Sequence, residues 1–357
     1  MALIDEIREQ PDVCARLLQR GRSVIDAVAA EARRRDLSFV VIAARGSSDH
    51  AAVYAQYVLG VLAGLPVALA TPSVVTQYGG RPRMANALVL GISQSGRSPD
   101  VVEVIEEAQR QGALTLAITN DADSPLASAA GQVLDLAAGA ERAVAATKTY
   151  TAELTAIAML AAALSADPDA ARRELETIPA VITDALTADA SAEDAAGYLA
   201  DMDRCVVLGR GYNLATSLEW ALKLKELAGI GAQAYSSADY LHGPVASLDD
   251  GGCVLAVRAR GPLADEISEL VARLRTERRA RVLLVSDEPG PDGGATGPEP
   301  RLAAPPVLRL PFPPRLPEWL SPIPAIVPGQ LFCLYLTRAR GMDPETPRGL
   351  SKVTLTH

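Results

Sequence analysis

With 357 residues the chain is about twice the usual single-domain length of roughly 150, so two domains of similar size are expected. A hydrophobic share of 49% against 22% charged excludes intrinsic disorder, and a net charge of -9 with no lysine-rich block excludes an electrostatic footprint for nucleic acid or an anionic membrane. Cys14, Cys205, Cys253 and Cys333 lie far apart without a Cys-x-x-Cys pair, and no signal peptide opens the chain; this excludes a disulfide scaffold and predicts buried, reduced thiols in a cytoplasmic protein.

Residues 1–30 predict an N-terminal helical segment, and VVIAARGSS at 40–48 an apolar strand running into a glycine turn. Ala51 to Gly80 carries no charge, yet Gly64-Leu65-Pro66 breaks it after about 14 helical residues, short of the roughly 20 of a membrane span. Pro66 to Ala70 then reads as a short strand. LVLGISQSG at 88–96 is a further strand with a glycine turn, Ser98 to Gly112 a helix, LTLAITND at 114–121 a strand, and Thr147-Lys148 opens a helix reaching about Leu164. Asp167 to Ala195, punctuated by Pro168 and Pro179, reads as a helical connector.

The second half repeats the first. Arg45-Gly46 falls on Arg210-Gly211, and Gly96 on Gly261 when LVLGISQSG is laid over CVLAVRARG (253–261), both at an offset of 165; LTLAITND matches VLLVSDE (282–288) at 167. Each half therefore reads as strand, helix, strand, helix, strand, an α/β arrangement in which a parallel sheet carries helices on both faces. The expected boundaries are 31–166 for the first domain, 167–195 for the connector, 196–340 for the second domain and 341–357 for a tail. Residues 288–306 read as an exposed Pro/Gly-rich loop, and Pro328 to Arg340 as a last helix.

Ser98-Pro99-Asp100 is a helix start, with serine as N-cap, proline at the first helical position and an acid in the first turn. Backbone N–H groups at that helix N-terminus, together with Ser93, Gln94, Ser95 and Ser98, suit a phosphate; the alternative is an ordinary polar loop. The matching loop, VRARGPLAD, has lost its hydroxyls, which predicts one phosphate site per chain. Ser47 and Ser48 follow the first strand at the same sheet edge, where ligands of such folds bind. In the second half Glu219, Lys223 and Glu226 share one helical face, as a catalytic group or a surface salt-bridge ladder. His242, in YLHGP, is either reactive or structural, and Lys352 alone reads as a tail lysine. No His/Cys/Asp cluster has metal-ligand spacing, so no metal or other cofactor is expected.

GISQSGRSPD, AVAATK, ALKLKE, YLHGP and the closing PRGLSK, in this order on a two-fold repeat, resemble the isomerase half of glutamine:fructose-6-phosphate amidotransferase, which is built from two tandem sugar isomerase (SIS) domains. The resemblance implies that Ser93, Gln94, Ser95 and Ser98 hold a sugar phosphate, with Val144 and Ala146 among the further substrate contacts. It implies that Glu226 moves a proton between C1 and C2, Lys223 assists, His242 opens the sugar ring and Lys352 forms a Schiff base with the open-chain ketose. It also implies a homodimer that shares the His242 loop across its interface. The chain departs from the family where it starts Met1-Ala2 without the glutaminase half, where Ala146 replaces a serine, and where Pro72-Ser73-Val74-Val75 replaces a Ser-Glu-Phe strand end. The arrangement is similar to stand-alone SIS amino-sugar phosphate deaminases, so the expected activity is conversion of glucosamine 6-phosphate to fructose 6-phosphate and ammonia. Ammonia-dependent synthesis and a fructosyl-amine phosphate deglycase remain alternatives, as does a non-catalytic phosphosugar sensor, against which Glu226, His242 and Lys352 together speak.

Overall fold

The computed structural model describes residues 2–288, 305, 307–313 and 316–352. The chain divides into two compact units, chiefly residues 4–179 and 180–348, with residues 349–352 of the tail belonging to the first. The first unit contains α1 (Ala2–Arg8), α2 (Gln10–Arg20), α3 (Arg22–Arg34), β1 (Phe39–Ala43), α4 (Ser47–Ala63), β2 (Val67–Leu69), α5 (Pro72–Thr76), β3 (Ala87–Ile92), α6 (Pro99–Arg110), β4 (Leu114–Thr119), α7 (Pro125–Ala129), β5 (Gln132–Asp135), α8 (Lys148–Leu164) and α9 (Pro168–Leu175). After α10 (Ile178–Ala185), the second contains α11 (Asp189–Tyr198), β6 (Arg204–Gly209), α12 (Leu214–Ala228), β7 (Gly231–Ser236), α13 (Ser237–Leu241), β8 (Cys253–Arg258), α14 (Ala264–Glu277), β9 (Arg281–Ser286), β10 (Val307–Pro311) and α15 (Pro322–Ala339).

Each unit holds one five-stranded parallel sheet, ordered β2-β1-β3-β4-β5 and, equivalently, β7-β6-β8-β9-β10. The register is duplicated along with the order. Val41 pairs with Val89 and Val206 with Val254, positions 165 residues apart; Val89 pairs with Thr115 and Val254 with Val282. The repeat together with the Pro66–Ala70 strand, which is β2, predicts four strands in the first unit and three in the second, where each has five. β5, β7 and β10 lie at sheet edges and read as short mixed segments such as GAQAYS, without the unbroken apolar run of a central strand.

Both faces of each sheet are covered. In the first unit Val41, Ala43, Val89 and Ala117 pack on Val101, Val104, Ile105 and Ala108 of α6 and Leu126 of α7, while α3 and α4 lie against the other face and α8 packs on α4. In the second, Val206, Leu208, Val254 and Ala256 pack on Ile267, Leu270, Val271 and Leu274 of α14, and α12 and α15 cover the opposite face. The start of the uncharged stretch, Ala51 to Ala63, completes the 17-residue α4, which Gly64 ends in a left-handed conformation (φ 66°). No helix among the described residues is long and apolar enough to cross a membrane.

The last helix starts at Pro322, six residues before the expected Pro328, which lies inside it. Proline tolerates the first turn but removes a backbone donor in the interior, so a sequence reading places the start too late. Burial compensates: Gly329 lets the Trp220 ring approach α15, where an added Cβ would lie 3.2 Å from ring atoms, and Trp220 meets Phe332 edge-on with centroids 6.0 Å apart. The expected 288–306 loop falls, after Glu288, almost wholly outside the described residues.

Gly209, at the turn between β6 and α12, leaves no room for a side chain: a Cβ would sit 2.3 Å from the backbone oxygen of Asn213. Gly209→Ala should therefore destabilise the chain by at least about 2 kcal/mol in urea unfolding. Gly197→Ala, in α11 with nothing within 4 Å, should be neutral or stabilising by up to about 1 kcal/mol. Equal losses in the two variants would refute the steric account.

Candidate active site

In a parallel sheet every strand ends at the same edge, so in the first unit the segments after β1, β3 and β5 meet there. Ser47 and Ser48 begin α4; the Ser48 hydroxyl donates to the buried Glu153 carboxylate of α8 at 2.8 Å. Ser93 to Ser98 join β3 to α6. This loop is tied from inside: Ser93 N–H donates to Ile118 O (3.1 Å), Gln94 O accepts from Asn120 N–H (3.1 Å), and Gly96 N–H donates to Ser93 O (3.1 Å). Gly96 has φ 62°, and a Cβ there would fall 2.1 Å from Ser124 Oγ, so only glycine fits. Ser98 takes the N-cap position as expected, but its hydroxyl makes no cap hydrogen bond, leaving it available at the mouth of the helix. Asp100 instead is buried and takes Arg45 Nε at 2.7 Å, fixing the turn after β1 against the start of α6.

The segment before α8 alternates buried Glu141, Ala143, Ala145 and Thr147 with more exposed Arg142, Val144 and Ala146. Glu6 accepts from the backbone N–H groups of Arg142 and Ala143. Lys148 points inward to an ion pair with Glu9 at 2.6 Å. Lys352 docks on this segment, donating to Glu141 Oε2 at 2.8 Å and to Ala143 O at 2.7 Å. The described tail therefore reaches the Glu141–Ala143 segment through Lys352, and residues 353–357 lie outside the described residues. Sequence reasoning missed Glu141 and Arg45, whose partners are remote in the chain.

In the second unit, Glu219, Lys223 and Glu226 share a face of α12, and the surface-ladder alternative fails on burial. The side chains of Glu219 and Lys223 are 0% and 1% exposed, that of Glu226 22%. Lys223 Nζ lies 3.3 Å from Glu219 Oε1 and bonds Glu226 Oε2. Burial alone would pull the Lys223 ammonium down, but the two carboxylates outweigh it and hold its pKa above the ordinary lysine value. Lys223 is therefore a fixed cation, and Glu226 is the member that reaches solvent. His242 follows α13 with its ring exposed. Tyr240 of α13 packs with α14, so His242 is carried on the sheet face opposite α12, and the unit does not bring it to Glu226.

The edge equivalent to the serine loop is filled by the second unit's own carboxylates. Arg260 N–H, in the place of Ser95, donates to both oxygens of Asp287 at 3.0 Å, and a Cβ on Gly261 would meet Glu318 Oε2 at 2.3 Å. Burial raises the pKa of both acids above the ordinary carboxylate range, and Asp287 raises Glu318 further. The ion pair after the first strand survives as Arg210 to Glu266 at 2.5 Å.

Removing one member of a buried ion pair costs about 3–5 kcal/mol, because the other charge is left stranded. Lys223→Met should destabilise by that amount, and adding Glu219→Gln should recover much of the loss in a double-mutant cycle read by urea unfolding. An additive double variant would mean that Glu219 and Lys223 are not energetically coupled.

Among known proteins, the SIS domain model matches residues 38–163 and 198–291. Glutamine--fructose-6-phosphate aminotransferase [isomerizing] of Methanothermobacter thermautotrophicus is 33% identical over 350 residues, covering 98% of this chain and 56% of that protein. The chain thus spans just over half the length of such curated relatives. A candidate phosphosugar isomerase from Silicibacter pomeroyi is 36% identical, with a TM-score of 0.83 over 96% of this chain and 99% of that one. The C-terminal domain of glucosamine-fructose-6-phosphate aminotransferase from Francisella tularensis shares the fold at 24% identity, with a TM-score of 0.82 over 97% and 98%. With matched segments falling on both duplicated sheets, the chain belongs to the SIS-domain family.

Proposed function

We propose that the chain deaminates and isomerises an amino-sugar phosphate, converting glucosamine 6-phosphate and water to fructose 6-phosphate and ammonia. The observation that carries this reading is the buried triad: Glu226 alone of the three reaches solvent, beside a lysine held charged. A non-catalytic sensor has no use for such a group, whereas a proton-transfer enzyme needs a placed carboxylate of this kind. The phosphate would sit on the Ser93–Ser98 loop, bound by backbone N–H groups and hydroxyls at the N-terminus of α6. After ring opening, the Glu226 carboxylate takes the proton from C2 and returns it to C1. The product is the fructose imine, which water hydrolyses, releasing the nitrogen as ammonia. Lys223 supplies countercharge to Glu226 rather than a proton. His242 lies on the other sheet face from Glu226, so in this reading a second copy of the chain provides the ring-opening histidine.

The synthetic direction shares the same proton transfer and is favoured by the activity named for the Methanothermobacter relative. Ammonia release and ammonia-dependent amino-sugar formation, measured over amino-sugar and fructosyl-amine phosphates, separate deamination, synthesis and deglycation. Turnover of none would leave the sensor reading.

Two variants test the roles. Glu226→Gln keeps the side-chain volume but cannot accept the proton, so turnover should fall by roughly 100-fold or more with sugar-phosphate binding retained; a tenth of the wild-type rate would overturn the assignment. Ser95→Ala and Ser98→Ala remove contacts to a non-reacting phosphate and should raise KM with little change in kcat. A fall in kcat at constant KM would place those serines at the reacting carbons.

A further inference from the structure

Glu141 is wholly buried and its two oxygens do different work. Oε1 accepts from the backbone N–H groups of Thr147 at 3.0 Å and Thr149 at 3.1 Å, satisfying donors that the start of α8 leaves open. Oε2 accepts from Thr149 Oγ1 at 2.7 Å and from Lys352 Nζ at 2.8 Å, across 211 positions of chain. Lys352 also donates to Ala143 O, immediately before Val144. One carboxylate therefore shapes the Val144–Ala146 segment, starts the helix behind it and seats the tail lysine. A neutral residue could perform the first two tasks. The third is where the charge counts, since the Lys352 side chain is 25% exposed and its ammonium bonds the Ala143 carbonyl beside Glu141.

We propose that Glu141 is a positioning residue that fixes the Lys352 ammonium over the Val144–Ala146 segment, so that ordering the tail and completing the sugar site are one event. The assignment rests on the reading above only in taking that segment as a sugar contact; the seating of the lysine stands independently of it.

Glu141→Gln separates the tasks, since its amide oxygen can keep the Oε1 bonds while an NH2 group faces Lys352 in place of Oε2. The chain's lysines are Lys148, Lys223, Lys225 and Lys352, of which Lys148 and Lys223 are buried and Lys225 is exposed. Labelling the full chain with a water-soluble acetylating ester, followed by peptide mass spectrometry, thus reads Lys352 against Lys225 as internal standard. In Glu141→Gln, Lys352 labelling should rise roughly threefold or more relative to Lys225, since the charge-assisted bond that protects the amine is gone. The melting temperature should stay near wild type, whereas Glu141→Ala should lower it. With glucosamine 6-phosphate, kcat should fall by about tenfold with KM changed much less, and Lys352→Ala should match it, with the double variant no worse than either single. Unchanged Lys352 labelling, or Glu141→Gln melting as low as Glu141→Ala, would overturn the proposal and leave Glu141 a helix cap. Should Glu141→Gln fail to fold, Lys352→Ala decides: wild-type kcat there would overturn it equally. If the wild type turns over no sugar phosphate, the functional reading fails, while the labelling ratio still judges the seating of Lys352.

Discussion

Lys223 has nowhere to place its charge except between Glu219 and Glu226, and this buried pairing sets the terms for the second unit. Isolated burial of an ammonium is so costly that the group would sooner lose its proton. Two flanking carboxylates reverse that outcome and hold the ammonium charged. The arrangement also answers a problem of position. Glu226 lies in the last turn of α12, where the negative end of the helix dipole opposes a carboxylate, so a cation one turn back is the natural remedy. Around the triad the packing is apolar and close, with Trp220, Gly329 and Phe332 locking α12 to α15.

The two sheets start from the same geometry and reach opposite electrostatics at the same edge. In the first, the loop after β3 offers amides and hydroxyls with no internal acid bonded to them among the described residues, apart from Asp100, which is engaged by Arg45 and its neighbouring amide. In the second, Asp287 already receives the amide of Arg260, and Glu318 lies against Gly261. An incoming phosphate would face two carboxylates there, so the internal acids occupy the position that a ligand anion would take. Duplication preserved strand order, register and the ion pair after the first strand, because those hold the fold together. The contents of the loop were free to diverge.

What was legible in the sequence follows what is local. Central strands announce themselves as unbroken apolar runs, and the 165-residue offset survives in the register of Val41 with Val89 and Val206 with Val254. The serine loop and the start of α6 were readable because helix N-terminal chemistry is contained within a few residues. The edge strands β5, β7 and β10 escaped notice because one side of each makes no ladder and their composition is mixed, whereas β2, an apolar run, was read at Pro66 to Ala70. Spacing put Glu219, Lys223 and Glu226 on one face but could not say whether that face was wet, since burial comes from α15, about 100 residues on. Glu141 gave no signal: a single acid in an alanine-rich segment takes on its tail-seating role only through Lys352 at the far end of the chain.

The separation of His242 from Glu226 is the feature that most constrains how such a chain could work. His242 is carried by α13 on the α14 face, while Glu226 lies on α12. If a second copy of the chain supplies the histidine that serves a given Glu226, the exposure of the His242 ring and of Leu241 beside it is the exposure of a surface that a partner would cover. Activity would in that case depend on assembly. Two singly inactive variants, one lacking the histidine and one lacking the carboxylate, should restore up to roughly a quarter of the wild-type sites when mixed and allowed to exchange subunits, because half of the dimers formed are mixed and each of these holds one intact site. No recovery in exchanged mixtures would mean that both residues act within one chain or that His242 takes no part in the mechanism.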